Sequence, residues 1–238
     1  MVNKVVLSTE QRGITKLIYM SFFIAFLALG GSTLITVLAS LGDFNDPAQK
    51  LVRSALISET CVNIIAGFTY FYLLKYLYEE KVPLSEITSI RYMDWILTTP
   101  FLLLSFAFYA TYNKYKDTPS ETSMDYVPLS YLIILNFAML FFGFMGETGR
   151  MDKMAGFACG FVAFGFLFWL LYDKYVKDVE DKESLEIVYY LLTAVWFLYG
   201  VSYYLPVVSK NVGYNILDMV SKSLFGVFLW ISAIEFNT

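Results

Sequence analysis

Apolar residues along the chain are grouped into seven long segments, separated by short polar connections. Each segment has roughly 20 to 27 residues, enough for an α-helix to cross the hydrocarbon core of a membrane. None of the connections is large enough to form a second domain. We therefore predict an all-α bundle of seven transmembrane helices that forms one domain over residues 1–238. The predicted spans are 14–41, 52–78, 87–111, 124–146, 150–176, 184–207 and 210–236.

Composition supports an integral membrane protein and excludes several other classes. Hydrophobic residues make up 58% of the chain and aromatic residues 19%, proportions typical of a polytopic membrane protein. The net charge is −4 and there is no basic tract, which argues against nucleic acid as a partner. The chain has no histidine, and its two cysteines lie in apolar spans without metal-ligand spacing. We therefore expect no metal site and no histidine-based catalytic triad.

One lysine lies inside an apolar span. The segment ILDMVSKSLFGVFLW, at 216–230, contains Lys222, and an ionisable residue within a membrane span indicates a functional site by default. Asp218 precedes it by one helical turn, about 6 Å along the axis and on the same face. From this span alone, the two residues form either a structural ion pair or part of a functional site.

The third span carries a polar stripe, in the segment RYMDWILTTPFLLLS. Arg91, Asp94, Thr98 and Ser105 recur at intervals of three, four and seven, so they share one side of a helix that is otherwise apolar. That side must face the interior of the bundle. Pro100 lacks a backbone N–H, and we expect it to bend the helix near the middle of the stripe.

The charges of these two spans cancel. Lys222 and Arg91 are positive, whereas Asp94 and Asp218 are negative. Such neutrality is favoured in a low-dielectric interior, because each unpaired ion would cost several kcal/mol. Two carboxylates beside one cation also have proton affinities that depend on that cation. The quartet is therefore suited to proton handling, and a static structural role is the alternative.

Aromatic residues form a stripe on the sixth span. Trp196, Tyr199 and Tyr203 are spaced i, i+3, i+7 and so share one face, while Trp95 follows Asp94 in the third span. Such a stripe is either core packing or one wall of a slot for a flat conjugated ligand beside Lys222. The same spacing recurs in the fourth span, at Asn136, Met139 and Gly143.

The second span contributes Glu59 and Tyr70, which lie on one face near opposite ends of the helix. From spacing alone, Glu59 either extends to the membrane interface near Arg53 or is buried with a functional role, and we expect the first of these. The lysines and arginines of the connections are nearly balanced between the two sides, so they leave the orientation of the chain open.

The motifs RYMDWILTTP and LDMVSK, in the third and seventh of seven spans, resemble those of the microbial (type 1) rhodopsins over essentially the whole chain. This resemblance implies a light-driven membrane protein rather than an enzyme, with all-trans retinal bound covalently at Lys222 as a protonated Schiff base. It makes Asp94 the proton acceptor and Asp218 the second counterion. It also implies that Arg91 switches towards the extracellular side and that Thr98 is the hydroxyl partner of the acceptor.

The resemblance also implies a retinal pocket and a topology. Tyr70 would hydrogen bond the second counterion, and the N-terminus would lie outside with the C-terminus in the cytoplasm. Homo-oligomers in the lipid membrane are implied as well. The pocket residues would be Tyr70, Trp95, Thr99, Leu102, Asn136, Met139, Gly143, Trp196, Tyr199 and Tyr203.

Departures from the family pattern reduce the number of functions that the resemblance allows. The third span reads Asp94, Thr98, Ser105, which resembles a group of outward proton pumps that lack the usual cytoplasmic proton donor. A serine hydroxyl cannot deliver a proton at neutral pH as a carboxylic acid can. Glu59, in the second span, is expected to lie close to Ser105, and either Glu59, as a tentative donor, or a chain of water that reaches Ser105 would then reprotonate the Schiff base.

We therefore expect a light-driven outward proton pump. The alternatives are a photosensory receptor, for which a missing donor would be suitable, and an inward pump or a light-gated channel. Asp218 argues against the inward pumps that the family contains, because these typically have proline at this position. The segment VVSKN also lacks the paired glutamates that release protons in bacteriorhodopsin-like pumps.

Overall fold

The described part of the chain contains seven helical spans, each long and apolar enough to cross a membrane. The computed structural model describes residues 9–78, 84–180 and 182–234. Within these ranges the regular secondary structure is entirely helical, so the predicted all-α seven-helix fold is confirmed. The helices are α1 (Thr9–Ser40), α2 (Pro47–Tyr78), α3 (Leu84–Tyr115), α4 (Tyr126–Glu147), α5 (Lys153–Tyr175), α6 (Glu183–Tyr203), α7 (Val207–Asp218) and α8 (Phe225–Ile234).

Short connections make successive spans run in opposite directions. The helices α1, α3, α5 and α7 therefore begin at one end of the bundle, which we call the N-terminal end. The opposite end is the C-terminal end. Large apolar side chains cover the outside, where Phe68 is 72% exposed and Trp169 is 62% exposed. An outer surface of this kind suits lipid, as expected of an integral multi-pass membrane protein.

The seventh span, Val207–Ile234, is not a uniform α-helix. A π-helical turn, Met219–Leu224, separates α7 from α8 and contains Lys222. A π-helical turn is wider than an α-helical turn, and such turns frequently occur at functional sites. The hydrophobic pattern did not predict this turn, because an apolar span with one lysine has the same appearance in either helix type.

Helix α2 extends beyond its predicted span because its first turn is polar. The second span was predicted from residue 52, but α2 begins at Pro47. The main-chain N–H of Gln49 donates to Asp46 Oδ1 at 2.8 Å, and Gln49 Oε1 accepts from the main-chain N–H of Asn45 at 3.0 Å. These bonds cap the first turn, and proline is favoured at the first helical position.

Pro100 lies inside α3, which runs without a break from Leu84 to Tyr115. Pro100 therefore does not end the helix, and the bend expected there stays a prediction. The helix carries the polar stripe of the third span into the bundle, where Arg91, Asp94 and Thr98 are all buried.

Helices α4 and α5 approach closely at glycines. A Cβ atom added to Gly156 would lie 2.8 Å from the Phe142 carbonyl oxygen and 2.9 Å from the Gly146 Cα. Only glycine fits at this contact, since both neighbouring atoms belong to the backbone. The contact fixes the α4–α5 pair beside the cavity described below.

Candidate functional site

Four charged side chains lie buried together between α3 and the seventh span, and none is more than 4% exposed. Lys222 Nζ lies 2.6 Å from Asp94 Oδ2 and 3.5 Å from Asp218 Oδ1. Arg91 Nη1 lies 3.6 Å from Asp218 Oδ2. The structure thus brings the predicted quartet together in one cluster. Each ion has an oppositely charged neighbour, which offsets the cost of removing it from water.

Asp218 is surrounded by hydrogen-bond donors. Tyr70 Oη donates to Asp218 Oδ2 at 2.7 Å, and Tyr199 Oη donates to Oδ1 at 2.6 Å. Trp95 Nε1 donates to Oδ1 at 3.3 Å. These donors come from three different helices and all of them bond the ionised carboxylate, which accounts for the burial of this charge.

The Asp94 carboxylate accepts fewer hydrogen bonds than that of Asp218. Its Oδ2 accepts from Lys222 Nζ, but its Oδ1 has no hydrogen-bonding partner among the described residues. Thr98, predicted to be its hydroxyl partner, instead donates to the main-chain carbonyl of Asp94 at 3.0 Å. Threonine within a helix readily makes this bond to the carbonyl four residues earlier. Asp94 Oδ1 can therefore accept a proton without displacing a donor.

Arg91 lies on the N-terminal side of the other three charges. Its Nε donates to Asn211 Oδ1 at 3.3 Å, and its Nη2 donates to Asn215 Oδ1. The guanidinium carbon lies 4.9 Å from the centroid of the Phe22 ring and 5.5 Å from that of Tyr214. Aromatic faces stabilise a cation at these distances. The asparagines of α7 were not identified from the sequence, although they lie one turn apart on that helix.

An apolar cavity of about 780 Å³, including its open mouth, adjoins Lys222. The predicted pocket residues that line it are Trp95, Thr99, Leu102, Met139, Gly143, Trp196, Tyr199 and Tyr203, together with Lys222. The aromatic stripe of the sixth span is thus one wall of a cavity rather than core packing alone.

Two residues predicted for the pocket lie behind its wall. Tyr70 bonds Asp218, as described above, and is not part of the lining. Asn136 is fully buried where α4 meets α3, and its Nδ2 donates to Thr99 Oγ1 at 2.8 Å. Helical spacing places Asn136 on the same face as Met139, but it does not show which of the two reaches the cavity.

Several lining residues were missed from the sequence, half of them on α5. Gly156 and Gly160 form a small-xxx-small pattern that is typical of close helix packing in membranes. This pattern is the signal that could have identified the α5 wall. The missed lining residues are Tyr92, Leu140, Gly156, Phe157, Gly160, Phe161, Phe164, Gly200, Tyr214 and Ser221.

Glu59 is completely buried, so the expectation that it extends to the interface near Arg53 is wrong. Arg53 is exposed. Neither carboxyl oxygen of Glu59 has a hydrogen-bonding partner in the described part of the chain. Ser105 is also fully buried, and its Oγ donates at 3.2 Å to the carbonyl of Ala55, one turn before Glu59. The inward direction of Glu59 follows from the packing of α2 against α3.

A second, partly buried ion pair lies at the N-terminal end of the bundle and was not predicted. Glu147, at the end of α4, has a side chain that is 0% exposed, and its Oε1 lies 2.9 Å from Lys210 Nζ. Tyr214 Oη donates to the same oxygen at 3.3 Å. In the sequence both charges stand next to polar connections, where they look like ordinary surface residues.

Comparisons with known proteins agree with this geometry. The family of bacteriorhodopsin-like proteins matches residues 17–236. The crystal structure of the viral rhodopsin OLPVRII is similar, with a TM-score of 0.81 and 30% identity over 93% of this chain and 100% of that chain. Green-light absorbing proteorhodopsin from Gamma-proteobacterium EBAC31A08 is 26% identical over 195 residues, 75% of this chain and 74% of that protein.

Sensory rhodopsin-2 from Haloarcula vallismortis is 27% identical over 164 residues, which are 63% of this chain and 64% of that protein. The match to the family covers almost the whole chain, from the first span to the last, and it includes all four charged residues of the buried quartet. Family membership implies a retinal chromophore, and Lys222 is among the residues that line the apolar cavity. The chain therefore belongs to the bacteriorhodopsin-like family and is a microbial (type 1) rhodopsin.

Proposed function

We propose that this protein is a light-driven proton pump that moves protons outwards and binds all-trans retinal covalently at Lys222 as a Schiff base. The observation that carries the proposal is the unequal satisfaction of the two carboxylates beside Lys222. Asp218 accepts hydrogen bonds from three side chains, whereas one oxygen of Asp94 has no partner among the described residues. One carboxylate is thus suited to remain charged and the other to accept a proton.

The residues of the cavity fit retinal. A long conjugated aldehyde needs a buried amine and walls with little polarity. The cavity offers Lys222 as the amine, with Trp95, Trp196 and Tyr199 among its aromatic walls. When bound, retinal would supply light absorption and a light-driven change of shape.

Two carboxylates lie near the proton on Lys222 Nζ, and Asp94 is the closer of the two. Asp94 lies 2.6 Å from this nitrogen and has a free oxygen, so transfer to Asp94 neutralises the closest ion pair. Asp218 keeps its charge, because its donors remain in place. Arg91 separates these groups from the N-terminal end of the bundle and makes the return of a proton from that side unfavourable.

Reprotonation of Lys222 needs a proton source on the side of the cluster that faces the C-terminal end of the bundle. Glu59 is a buried carboxyl group whose two oxygens accept no hydrogen bond in the described part of the chain. A buried carboxyl group without an ion-pair partner is most stable when protonated. It is therefore the candidate donor, and Ser105 lies beside it as a hydroxyl that could line a path of water. The proposal requires the C-terminal end of the bundle to face the cytoplasm and the N-terminus to lie outside.

The membrane lipid and protons are the immediate partners in this proposal. The exposed apolar surface of the bundle supports insertion in lipid. We also propose that copies of the chain assemble as homo-oligomers, by analogy with the family.

A photosensory receptor is the second candidate. The residue that favours it is Ser105, since a fully buried hydroxyl cannot supply a proton as the usual donor carboxylate does. Slow reprotonation would give a long-lived signalling state. This function would not require net proton movement.

Illumination of cells that express the protein with retinal separates these possibilities. Outward pumping predicts acidification of an unbuffered medium that a protonophore abolishes. Alkalinisation would indicate an inward pump, and an unchanged pH with a normal photocycle would indicate a sensor. A light-gated channel would give a current that reverses sign with the imposed potential.

A further inference from the structure

Polar side chains recur every fourth residue along the seventh span, towards the N-terminal end of the bundle. Lys222, Asp218, Tyr214 and Lys210 lie at successive helical turns on one face. The Tyr214 ring lies 5.5 Å from the guanidinium carbon of Arg91, and its hydroxyl donates to Glu147 Oε1. Tyr214 therefore lies between Arg91 of the buried quartet and Glu147 on α4, and it contacts both residues.

Glu147 is an unusual residue for this position. It ends α4, where the partial negative charge of the helix disfavours a carboxylate. Its side chain is 0% exposed, so it gains little from water. Lys210 offsets these costs through one oxygen only. The second oxygen, Oε2, is buried and has no hydrogen-bonding partner among the described residues.

We infer that Glu147 is the exit-side proton acceptor of this protein, a carboxylate that binds the transported proton at Oε2 before releasing it to bulk water. This inference rests on the proposed outward pump. In the step, the O–H bond of protonated Asp94 breaks and an O–H bond forms on Glu147, through the intervening hydroxyls and water. The Glu147 O–H bond then breaks and leaves a hydrated proton outside, so that both carboxylates return to their ionised forms.

The arrangement differs from a simple structural clamp between α4 and α7. A clamp needs only the contact between Oε1 and Lys210, and it gives no reason to bury Oε2 without a donor. An acceptor needs a free oxygen, and Oε2 of Glu147 has no hydrogen-bonding partner among the described residues.

Time-resolved infrared spectroscopy tests the inference in the wild-type protein with retinal bound. Protein labelled with ¹³C at the glutamate side-chain carboxyl should show a transient carbonyl band with an isotope shift, which Asp94 cannot give. The band should rise after Asp94 becomes protonated and should decay as a pH-indicator dye detects the released proton. Glu59 would give a signal of opposite sign and at a later time.

Glu147→Gln supplies the second measurement. We expect it to remove the transient glutamate band and the early proton release, while the protonation of Asp94 proceeds as in the wild type. Glu86→Gln is the matched control, because it removes an exposed carboxylate from the same end of the bundle. Early release should be retained in that variant.

Two outcomes would overturn the inference: early release without any labelled glutamate band in the wild type, or unchanged early release in Glu147→Gln. The labelling experiment on the wild-type protein tests the role of Glu147 even if Glu147→Gln does not fold. Failure of the proposed pump is distinguishable, because Asp94 would then show no light-driven protonation or cells would show no acidification, whatever the state of Glu147.

Discussion

Lys222 Nζ lies 2.6 Å from Asp94 Oδ2, although the two residues are 128 positions apart in the chain. Asp218 is only four positions from Lys222, yet its nearest carboxylate oxygen lies 3.5 Å away. The shorter ion pair is therefore made between helices rather than within one. It joins the cation to the carboxylate that has a free oxygen.

Lys222→Ala should prevent formation of a covalent visible pigment, because no other lysine of the described residues lines the cavity. The measurement is the absorption spectrum after addition of all-trans retinal, together with the mass of the denatured protein. Lys174→Ala is the control, since Lys174 lies at an exposed site away from the cavity and should not affect pigment formation. A retinal-sized mass increase in Lys222→Ala would refute the attachment site.

Asp94→Asn should shift the visible absorption to longer wavelength and stop proton transport. The substitution removes the negative charge closest to Lys222 Nζ and leaves only Asp218 as a counterion, so less energy is needed to delocalise the positive charge. The spectrum and light-driven pH changes in the same cells are the measurements. Pumping at the wild-type rate would contradict the assignment of Asp94 as acceptor.

Asp218→Asn should destabilise the protein more than Asp94→Asn. Asp218 accepts from Tyr70, Tyr199 and Trp95 and also pairs with Arg91. Breaking a buried pair by removing one partner typically costs roughly 3–5 kcal/mol. Thermal unfolding in detergent, followed by loss of the visible band, compares the two variants. Equal losses of stability would show that the hydrogen bonds to Asp218 contribute little.

Glu59→Gln should slow the last phase of the photocycle and reduce the steady pumping rate, since the amide cannot donate a proton to Lys222. Flash photolysis at several pH values measures the effect. Glu59→Asp should restore part of the rate, and Glu121→Gln is a control at an exposed carboxylate on the same end. An unchanged late phase at every pH would exclude Glu59 as the donor.

Gly156→Ala should destabilise the α4–α5 contact by roughly 1–3 kcal/mol, because the added methyl group would meet backbone atoms of α4. Gly165→Ala on the same helix has nothing within 4 Å of the added atom. It should be neutral or stabilising by about 0.5–1 kcal/mol. The difference between their unfolding temperatures is the measurement. A Gly156→Ala protein as stable as Gly165→Ala would mean that the two helices separate at little cost.

The sequence by itself determined the seven spans, the burial of Lys222 and the polar stripe of α3. These features depend on local hydropathy and on helical periodicity, both of which can be seen within a single segment. The resemblance to the microbial rhodopsins, carried by the motifs around Asp94 and Lys222, added the family, which the comparisons confirmed.

Only the tertiary structure decided which groups meet. It showed that Asp94 rather than Asp218 lies closest to Lys222, that Glu59 points inwards, and that Glu147 pairs with Lys210 from 63 positions away. The rotation of each helix about its axis and its distance from its neighbours set these contacts. Both result from packing among all seven spans, at glycines such as Gly156 and across the π-helical turn, and no single segment encodes them.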